Sequence, residues 1–289
     1  MNEDRRKGIG GSDAPVVCGL SPWKTPYQLW LEKRGEGAVG DEDSEPMFWG
    51  RALEPVIRQR YADLTGRRVK VERQLLVHPK HEWMCGHPDG ITEDGRVLEV
   101  KTARMPTGWG EPGTDEIPDT YAVQVQHYLA LTSLKVADVV VLIAGSDFRL
   151  FEIPADAEVQ GLIISREEAF WQGVVDGTPP MPRTYDDLRL HFGAVAKARR
   201  VQADATTLGA YQRLVGLREA MKEEKELKAA IMKKLGEADT LVDGDTVLAT
   251  WKMSKPVTRF DQKLLKEEQP EVYDKYLTEG SPQRRLLIK

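Results

Sequence analysis

The chain has 289 residues, which exceeds the roughly 100 to 150 residues of a common domain and allows one large core with an appended segment. Hydrophobic residues make up 40% of the chain, and no apolar run approaches the roughly 18 residues of a membrane span, so we expect no membrane partner. The polar start Met1–Lys7 is unlike a secretory signal, and we expect a cytoplasmic location. The two cysteines exclude a four-cysteine zinc or iron–sulfur site, and a net charge of −5 means that a polyanion would have to bind a local cluster of basic residues.

The first predicted elements are a short helix and a long one. Residues 8–15 form a glycine-rich approach to a helix capped by Ser12 or Asp13, with Pro15 near its first position. Residues 35–46 are rich in Gly, Asp, Glu and Pro and predict a surface loop. Apolar residues at helical spacing then predict a helix from Phe48 to Leu64, which ends at Gly66.

The pattern next changes to short β-type runs. Residues 69–71, 74–77, 90–92 and 96–101 form a meander that turns at Asp94 and Gly95. His78, His81, Cys85 and His87 lie within it, and their loose spacing favours polar residues around a turn over a zinc site.

A loop over residues 104–119 precedes a predicted helix over 119–131, strands over 139–144 and 149–153, and a helix over 158–175. This order predicts an α/β fold with a mixed central sheet flanked by helices. The proline cluster at 179–182 favours a core that ends near residue 200.

Residues 201–289 are expected to form an appendage for DNA contact or assembly. A long helix is predicted from about Thr206 to Leu235, stopped by Gly236, and its charged middle favours a solvated face over a coiled coil. The last 50 residues alternate around Asp243 and Gly244, which predicts a small β segment that ends in a basic strand over 284–289.

The chemistry is concentrated in residues 86–90 and 98–102, read Gly-His-Pro-Asp-Gly and Leu-Glu-Val-Lys-Thr. Metal-assisted phosphodiester hydrolysis needs carboxylates that bind a hard cation, together with a cationic side chain beside them. Asp89, Glu99 and Lys101 supply these groups, and strand alternation places Glu99 and Lys101 together on one face, expected to be exposed. An ordinary surface hairpin with a Glu/Lys pair remains the alternative.

The turn decides whether Asp89 can reach Glu99. A two-residue Asp94-Gly95 turn would direct the two carboxylates to opposite faces, because a register shift of one residue reverses every side chain. A three-residue turn with Gly95 in the left-handed conformation sets Asp89 opposite Glu99. We therefore predict a positive φ at Gly95, with either that pairing or a break in the ladder at Pro88-Asp89 that achieves the same approach.

Two further segments have the same order as a known family. Residues 49–55 read Trp-Gly-Arg-Ala-Leu-Glu-Pro, and residues 121–128 read Tyr-Ala-Val-Gln-Val-Gln-His-Tyr. Together with the Gly-Gly-Ser-Asp start and the Asp/Glu/Lys hairpin, they closely resemble the lambda exonuclease and YqaJ-type viral recombinase family, a branch of the PD-(D/E)XK nucleases. The resemblance covers about residues 5–144.

The resemblance implies a role for each matching residue. Asp89, Glu99 and the Val100 carbonyl would bind metal, with Glu54 as a further candidate ligand in the acidic cluster. Lys101 would hold the nucleophilic water or stabilise the phosphate, Gln124 would orient that water or Lys101, and Tyr121 would support Gln124. Arg5 and Ser12 would bind a 5′-phosphate; Arg6 and Lys7 are alternatives to Arg5, and no role is assigned to His87.

The implied activity is a Mg²⁺-dependent 5′-to-3′ exonuclease on double-stranded DNA, with Mn²⁺ as a substitute and two ions at the site. The implied partners are DNA ends, a phage-type single-strand annealing protein, and further copies of the chain in a ring-shaped homotrimer. The alternatives are a nuclease of the same fold with another polarity or endonucleolytic activity, and a non-catalytic DNA-end-binding module, which the presence of every carboxylate argues against.

Overall fold

A computed structural model describes residues 6–36, 44–193, 200–278 and 284–288. The chain divides into two compact units, Met1–His191 and Phe192–Lys289, which we consider separately. Within the described ranges, no helix combines the length and the apolar character that a membrane crossing requires.

The N-terminal unit contains a five-stranded mixed sheet and a separate strand pair. In spatial order the sheet consists of β1 (Val69–Lys70), β4 (Gly90–Thr92), β5 (Val97–Ala103), β6 (Val136–Ile143) and β7 (Asp147–Pro154), and the separate pair joins β2 (Leu76–Val77) to β3 (Cys85–Gly86). The neighbouring strands β5 and β6 are parallel, and the other pairs of the sheet are antiparallel. The near-continuous apolar sequence of β6 is typical of a strand that is buried on both faces.

Helices cover both faces of this sheet. On one face, α3 (Glu45–Thr65) packs Ile57 and Tyr61 against Leu98 of β5. On the other, α4 (Asp119–Thr132) packs Val125 and Leu129 against a larger apolar cluster from β5, β6 and β7. The predicted sheet flanked by helices is therefore confirmed. The helix α3 begins at Glu45, three residues before the predicted start at Phe48.

A third apolar cluster joins the glycine-rich start to three helices: α1 (Ala14–Val17), α2 (Pro26–Arg34) and α5 (Ala157–Asp176). The helix α2 was not predicted, because its apolar residues follow no clear helical stripe. Its start carries a local signal nevertheless, since Thr25 and Gln28 form a capping box ahead of Pro26. A further helix, α6 (Tyr185–Phe192), was also missed.

The C-terminal unit contains the predicted long helix α7 (Ala205–Leu235), which ends at Gly236, and a hairpin of β8 (Thr240–Asp243) and β9 (Thr246–Thr250). Two short helices follow, α8 (Gln262–Glu268) and α9 (Pro270–Lys275). The predicted basic strand is wrong for the described residues 284–288, which join no ladder. Its leucines are largely exposed, so no neighbouring strand supplies the pairing that the pattern suggested.

Candidate active site

The hairpin of β4 and β5 has the register that a metal site requires. Gly95 has a φ of +82°, and its N–H donates to the carbonyl of Thr92 at 3.0 Å. Gly90 lies opposite Leu98, and the same register sets Asp89 opposite Glu99 one step further along. The predicted three-residue turn with a left-handed glycine is confirmed.

The regular ladder stops just before Asp89. The last pair of β4 with β5 is Gly90 with Leu98, and the Asp89 carboxylate then accepts the backbone N–H of Val100 at 2.7 Å. This side-chain bond replaces a ladder bond, which is the predicted break at Pro88-Asp89. Asp89 is thereby held against the strand that carries Glu99 and Lys101.

Glu99, Lys101 and Gln124 form a closed hydrogen-bonded triangle. Lys101 Nζ donates to Glu99 Oε1 at 2.5 Å and to Gln124 Oε1 at 3.1 Å. Gln124 Nε2 in turn donates to the same Glu99 oxygen at 2.7 Å. The amide from α4 therefore contacts both strand residues at once.

The expectation of an exposed face is wrong, because α4 covers it. Glu99 is only 2% exposed and Gln124 only 8%, and the Lys101 side chain is 17% exposed. Strand alternation correctly placed the two charged side chains together, but it could not indicate that a helix lies over them.

Burial and mutual charge shift the pKa values of these groups. Burial, and then the charge of Glu99, raises the pKa of Asp89 well above its usual range, and burial raises the pKa of Glu99. For Lys101, burial alone would lower the pKa, but the charges of Glu99 and Asp89 outweigh it and raise the pKa. The cluster thus favours a bound positive charge over bare carboxylates.

Glu54 reaches this cluster through an arginine that was not predicted. Arg58 lies one turn along α3 and donates to Glu54 Oε1 at 2.6 Å and to the backbone carbonyl of Asp89 at 3.1 Å. The negative charge of Glu54 also contributes to the raised pKa values of Asp89 and Glu99. Arg58 therefore links α3 to the segment that carries Asp89.

A divalent cation fits the donor set. Glu99 Oε2 is buried and accepts no hydrogen bond, an unsatisfied state that costs free energy unless a cation or donor occupies it. Asp89 and Glu54 add carboxylate oxygens, the ligands that hard divalent cations prefer. Across the described residues, however, no three His, Cys, Asp or Glu side chains already converge as a complete metal site.

Tyr121 supports the lysine from the side. Its ring centroid lies 5.0 Å from Lys101 Nζ, and it stacks on Trp109 at 5.5 Å. A cation over an aromatic face is stabilised by the ring quadrupole. The tyrosine contacts the lysine directly, whereas the resemblance implied support of Gln124.

Ser12 lies at a separate cavity of about 290 Å³ beside the carboxylate cluster. His87, two residues before Asp89, forms part of its wall with the exposed Ser12. A Cβ on Gly11 would lie 2.4 Å from the Tyr128 ring, so only glycine allows this close approach. Arg5, the predicted phosphate-binding partner, lies outside the described residues.

Two buried ion pairs behind this cavity were not predicted. Lys33 of α2 donates to Asp13 Oδ2 at 2.6 Å, and the same oxygen accepts the N–H of Gly10, which shapes the glycine-rich turn. His127 Nδ1 lies 2.8 Å from Glu167 Oε1, and its Nε2 lies 3.0 Å from the carbonyl of Cys85. Asp13 and Cys85 both line the cavity, so each pair holds one of its lining residues in place.

Tyr128, the residue after His127, also lines this cavity. Tyr128 donates its hydroxyl to the carbonyl of His87 at 3.0 Å. No role was predicted for His127 or Tyr128, although both are buried residues of α4.

The histidine cluster on the β2–β3 connection shapes a turn. His78 Nδ1 accepts the backbone N–H groups of Lys80 and His81, both at 3.1 Å, and the His78 and His81 rings are 4.8 Å apart. The predicted polar turn is confirmed at His78, whereas Cys85 is buried in β3 and His87 lines the cavity near Ser12.

Comparison with known proteins decides the family. The profile of the YqaJ-like viral recombinase domain matches residues 2–135, which include every predicted site residue. The YqaJ protein of Bacillus subtilis (strain 168) is 32% identical over 286 residues, covering 94% of this chain and 88% of that protein. This chain belongs to the YqaJ-like viral recombinase family.

The fold of this YqaJ-like protein is also found in a solved nuclease. The crystal structure of the alkaline exonuclease LHK-Exo from Laribacter hongkongensis matches with a TM-score of 0.50 and 22% identity, over 61% of this chain and 91% of that one. The predicted fold class, a PD-(D/E)XK core with a mixed sheet between helices, is confirmed.

Proposed function

We propose that the protein is a metal-dependent exodeoxyribonuclease that degrades double-stranded DNA from its 5′ ends and leaves 3′ single strands. The observation that carries the proposal is the cluster of Asp89, Glu99, Lys101 and Gln124, in which Glu99 and Gln124 are buried and one Glu99 oxygen is left unpartnered. Membership in the viral recombinase family and the nuclease fold support the same activity.

Asp89, Glu99 and the Val100 carbonyl would hold Mg²⁺, with Mn²⁺ as a substitute and Glu54 as a ligand shared by a second ion. A bound divalent cation supplies charge neutralisation at the scissile phosphate and a more acidic water. The orphaned Glu99 Oε2 is the natural first ligand, because a cation would satisfy an oxygen that no protein group reaches.

Lys101 is the residue placed to serve the reacting phosphate. Its ammonium group is held by Glu99 and Gln124 and lies over the Tyr121 ring, so its position is fixed before substrate arrives. A preorganised cation stabilises the charge that develops on the phosphate without reorganisation during the reaction. Gln124 holds the Lys101 ammonium group in place through its hydrogen bonds with Lys101 and Glu99.

The cavity at Ser12 would receive the 5′-phosphate. It lies next to the segment that carries Asp89, and it has an exposed hydroxyl and the His87 side chain on its walls. Binding a terminal phosphate there would position the first phosphodiester near the carboxylates and would favour 5′-to-3′ progress. Arg5 would supply the positive charge.

The resemblance also implies partners. The 3′ single strand produced by such an enzyme is the substrate of a phage-type single-strand annealing protein, which we propose as the functional partner in recombination. A homotrimer that encloses the duplex is the proposed assembly, because a closed ring would keep the enzyme on its substrate.

A labelled-end digestion tests the proposal. Linear duplexes labelled at either the 5′ or the 3′ terminus, with or without a 5′-phosphate, are incubated with the protein in Mg²⁺ or EDTA; a closed circular duplex serves as the control. We expect Mg²⁺-dependent early release of the 5′ label and an intact circle. Early release of the 3′ label or cutting of the circle would favour the alternative polarity or endonuclease, and binding without cleavage would favour the end-binding module.

A further inference from the structure

The long helix α7 exposes an apolar face that its own unit does not cover. Leu214, Leu217, Met221 and Ile231 are between 37% and 62% exposed, and Leu235 is the one residue that α7 buries among those described. A helix gains most of its stability from packing an apolar face, and a two-stranded hairpin such as β8–β9 is marginal by itself. This face therefore needs a covering partner.

The spacing of the face identifies a helix as that partner. Successive positions of this face are three and four residues apart in alternation, along the series 214, 217, 221, 224, 228, 231 and 235. Five of these positions are apolar, and positions 224 and 228 are charged. This is the a/d repeat of a two-helix coiled coil, and its exposed positions run from residue 214 to residue 231 because Leu235 is already buried. A groove, a sheet or a nucleic acid would not require this repeat.

The charges at positions 224 and 228, the two remaining positions of the repeat, select the orientation of the partner helix. These positions hold Glu224 and Lys228, which form an ion pair 2.5 Å long on the surface of the single helix. In a parallel pair, identical residues meet across the seam, so Glu224 would face Glu224 and Lys228 would face Lys228. In an antiparallel pair, each a position faces a d position, and Glu224 would face Lys228 of the second copy.

We infer that α7 is a self-association surface, on which a second copy of this chain packs its own α7 antiparallel, with the two-fold axis beside Glu226. In this register Glu224 lies opposite Lys228, and Met221 lies opposite Ile231. Two antiparallel copies of the repeat therefore match at the layers of Glu224 with Lys228 and at the layers of Met221 with Ile231 on either side. This pairing requires no other protein. The contact does not depend on the proposed nuclease activity, and because a two-fold contact cannot join neighbours within a three-fold ring, it would link copies that belong to different rings.

Cysteine cross-linking between two single variants of the full chain tests the inference. Met221→Cys and Ile231→Cys chains are oxidised separately and as a mixture, and the unaltered chain, with Cys18 and Cys85, reports the background. The antiparallel register brings position 221 of one copy to position 231 of the other. It separates the two copies of position 221 by about 15 Å, too far for a disulfide.

We expect a disulfide-linked dimer in the mixture, several-fold above that in either single variant. Self-linked dimers of the single variants would indicate a parallel pair and would overturn the inference. Equal background in all three samples would overturn it as well.

Charge reversal provides a second arm with a matched control. Carrying Glu224→Lys on both cysteine variants places lysine opposite lysine and should reduce the cross-linked product several-fold. Pairing a Glu224→Lys copy with a Lys228→Glu copy restores opposite charges only across the interface, because each single helix keeps a like-charged pair. Recovery of the product in this mixture supports the antiparallel seam, and no recovery contradicts it.

Discussion

The His127 and Glu167 side chains are fully buried and lie 2.8 Å apart, so replacing either one should change the free energy of unfolding by a predictable amount. Replacing His127 with Leu leaves the Glu167 carboxylate buried without a partner and should cost about 3 to 5 kcal/mol. Replacing Glu167 with Leu leaves a neutral imidazole that still donates to Cys85 and lacks one bond, at about 1 to 3 kcal/mol.

The double replacement distinguishes a coupled pair from two independent residues. It removes both groups and leaves mainly the Cys85 carbonyl unsatisfied, so its cost should be about 1 to 3 kcal/mol and well below the sum of the single variants. Urea unfolding followed by tryptophan fluorescence measures each free energy. Costs that simply add would refute the coupling.

The same pair predicts how stability depends on pH. Burial by itself would lower the pKa of His127, but the Glu167 charge and hydrogen bond outweigh it and raise the pKa; burial raises the pKa of Glu167. A raised folded-state pKa stabilises the protein at low pH: the contribution of Glu167 declines as the pH rises above the ordinary glutamate value of about 4.3, and that of His127 declines above the ordinary histidine value of about 6.5. The advantage of the native chain over the double variant should therefore shrink in alkali, and growth of that advantage would contradict the argument.

Three other predictions concern the cavity and the division of the chain. Ser12→Ala should reduce cleavage of 5′-phosphorylated ends far more than of 5′-hydroxyl ends in a rate comparison, because the lost contact is to the phosphate, and equal losses would argue against a phosphate pocket. Gly11→Ala should lower the free energy of unfolding by about 1 to 3 kcal/mol, because its methyl group would overlap the buried Tyr128 ring, whereas Gly209→Ala, with open space in α7, should not destabilise the protein; similar effects of both would contradict the steric reasoning. A chain that ends at Gly193 should still bind Mn²⁺ in a calorimetric titration, since every proposed ligand lies in the first unit, and loss of binding by a folded truncated chain would show that the division into units is wrong.

Local sequence signals predicted the elements that carry the chemistry. Glycine at 95 and the alternation of residues 96–101 allowed two registers, and the requirement that Asp89 meet Glu99 selected the three-residue turn that the structure contains. The continuous apolar run near residue 140 indicated a buried strand, and Gly66 and Gly236 marked the ends of their helices.

Contacts between distant segments could not be predicted in this way. Lys33 is one of many lysines in the sequence, and only the fold brings it to Asp13. The pairing of His127 with Glu167 spans 40 residues, and Arg58 reaches the backbone of Asp89 across 31. The cover that α4 provides over Glu99 is a tertiary property of the same kind, which is why an exposed face was expected there.

The most direct test of the central claim is the cleavage rate of Glu99→Gln on linear 5′-phosphorylated duplex DNA in Mg²⁺, together with Mn²⁺ binding to the same protein. This change keeps the size of the side chain and an oxygen that can accept from Lys101 and Gln124, and it removes the negative charge that a cation requires. We predict a folded protein whose cleavage falls by several orders of magnitude and whose Mn²⁺ affinity falls with it. Cleavage close to that of the unaltered chain would contradict the assignment of this cluster as the active site.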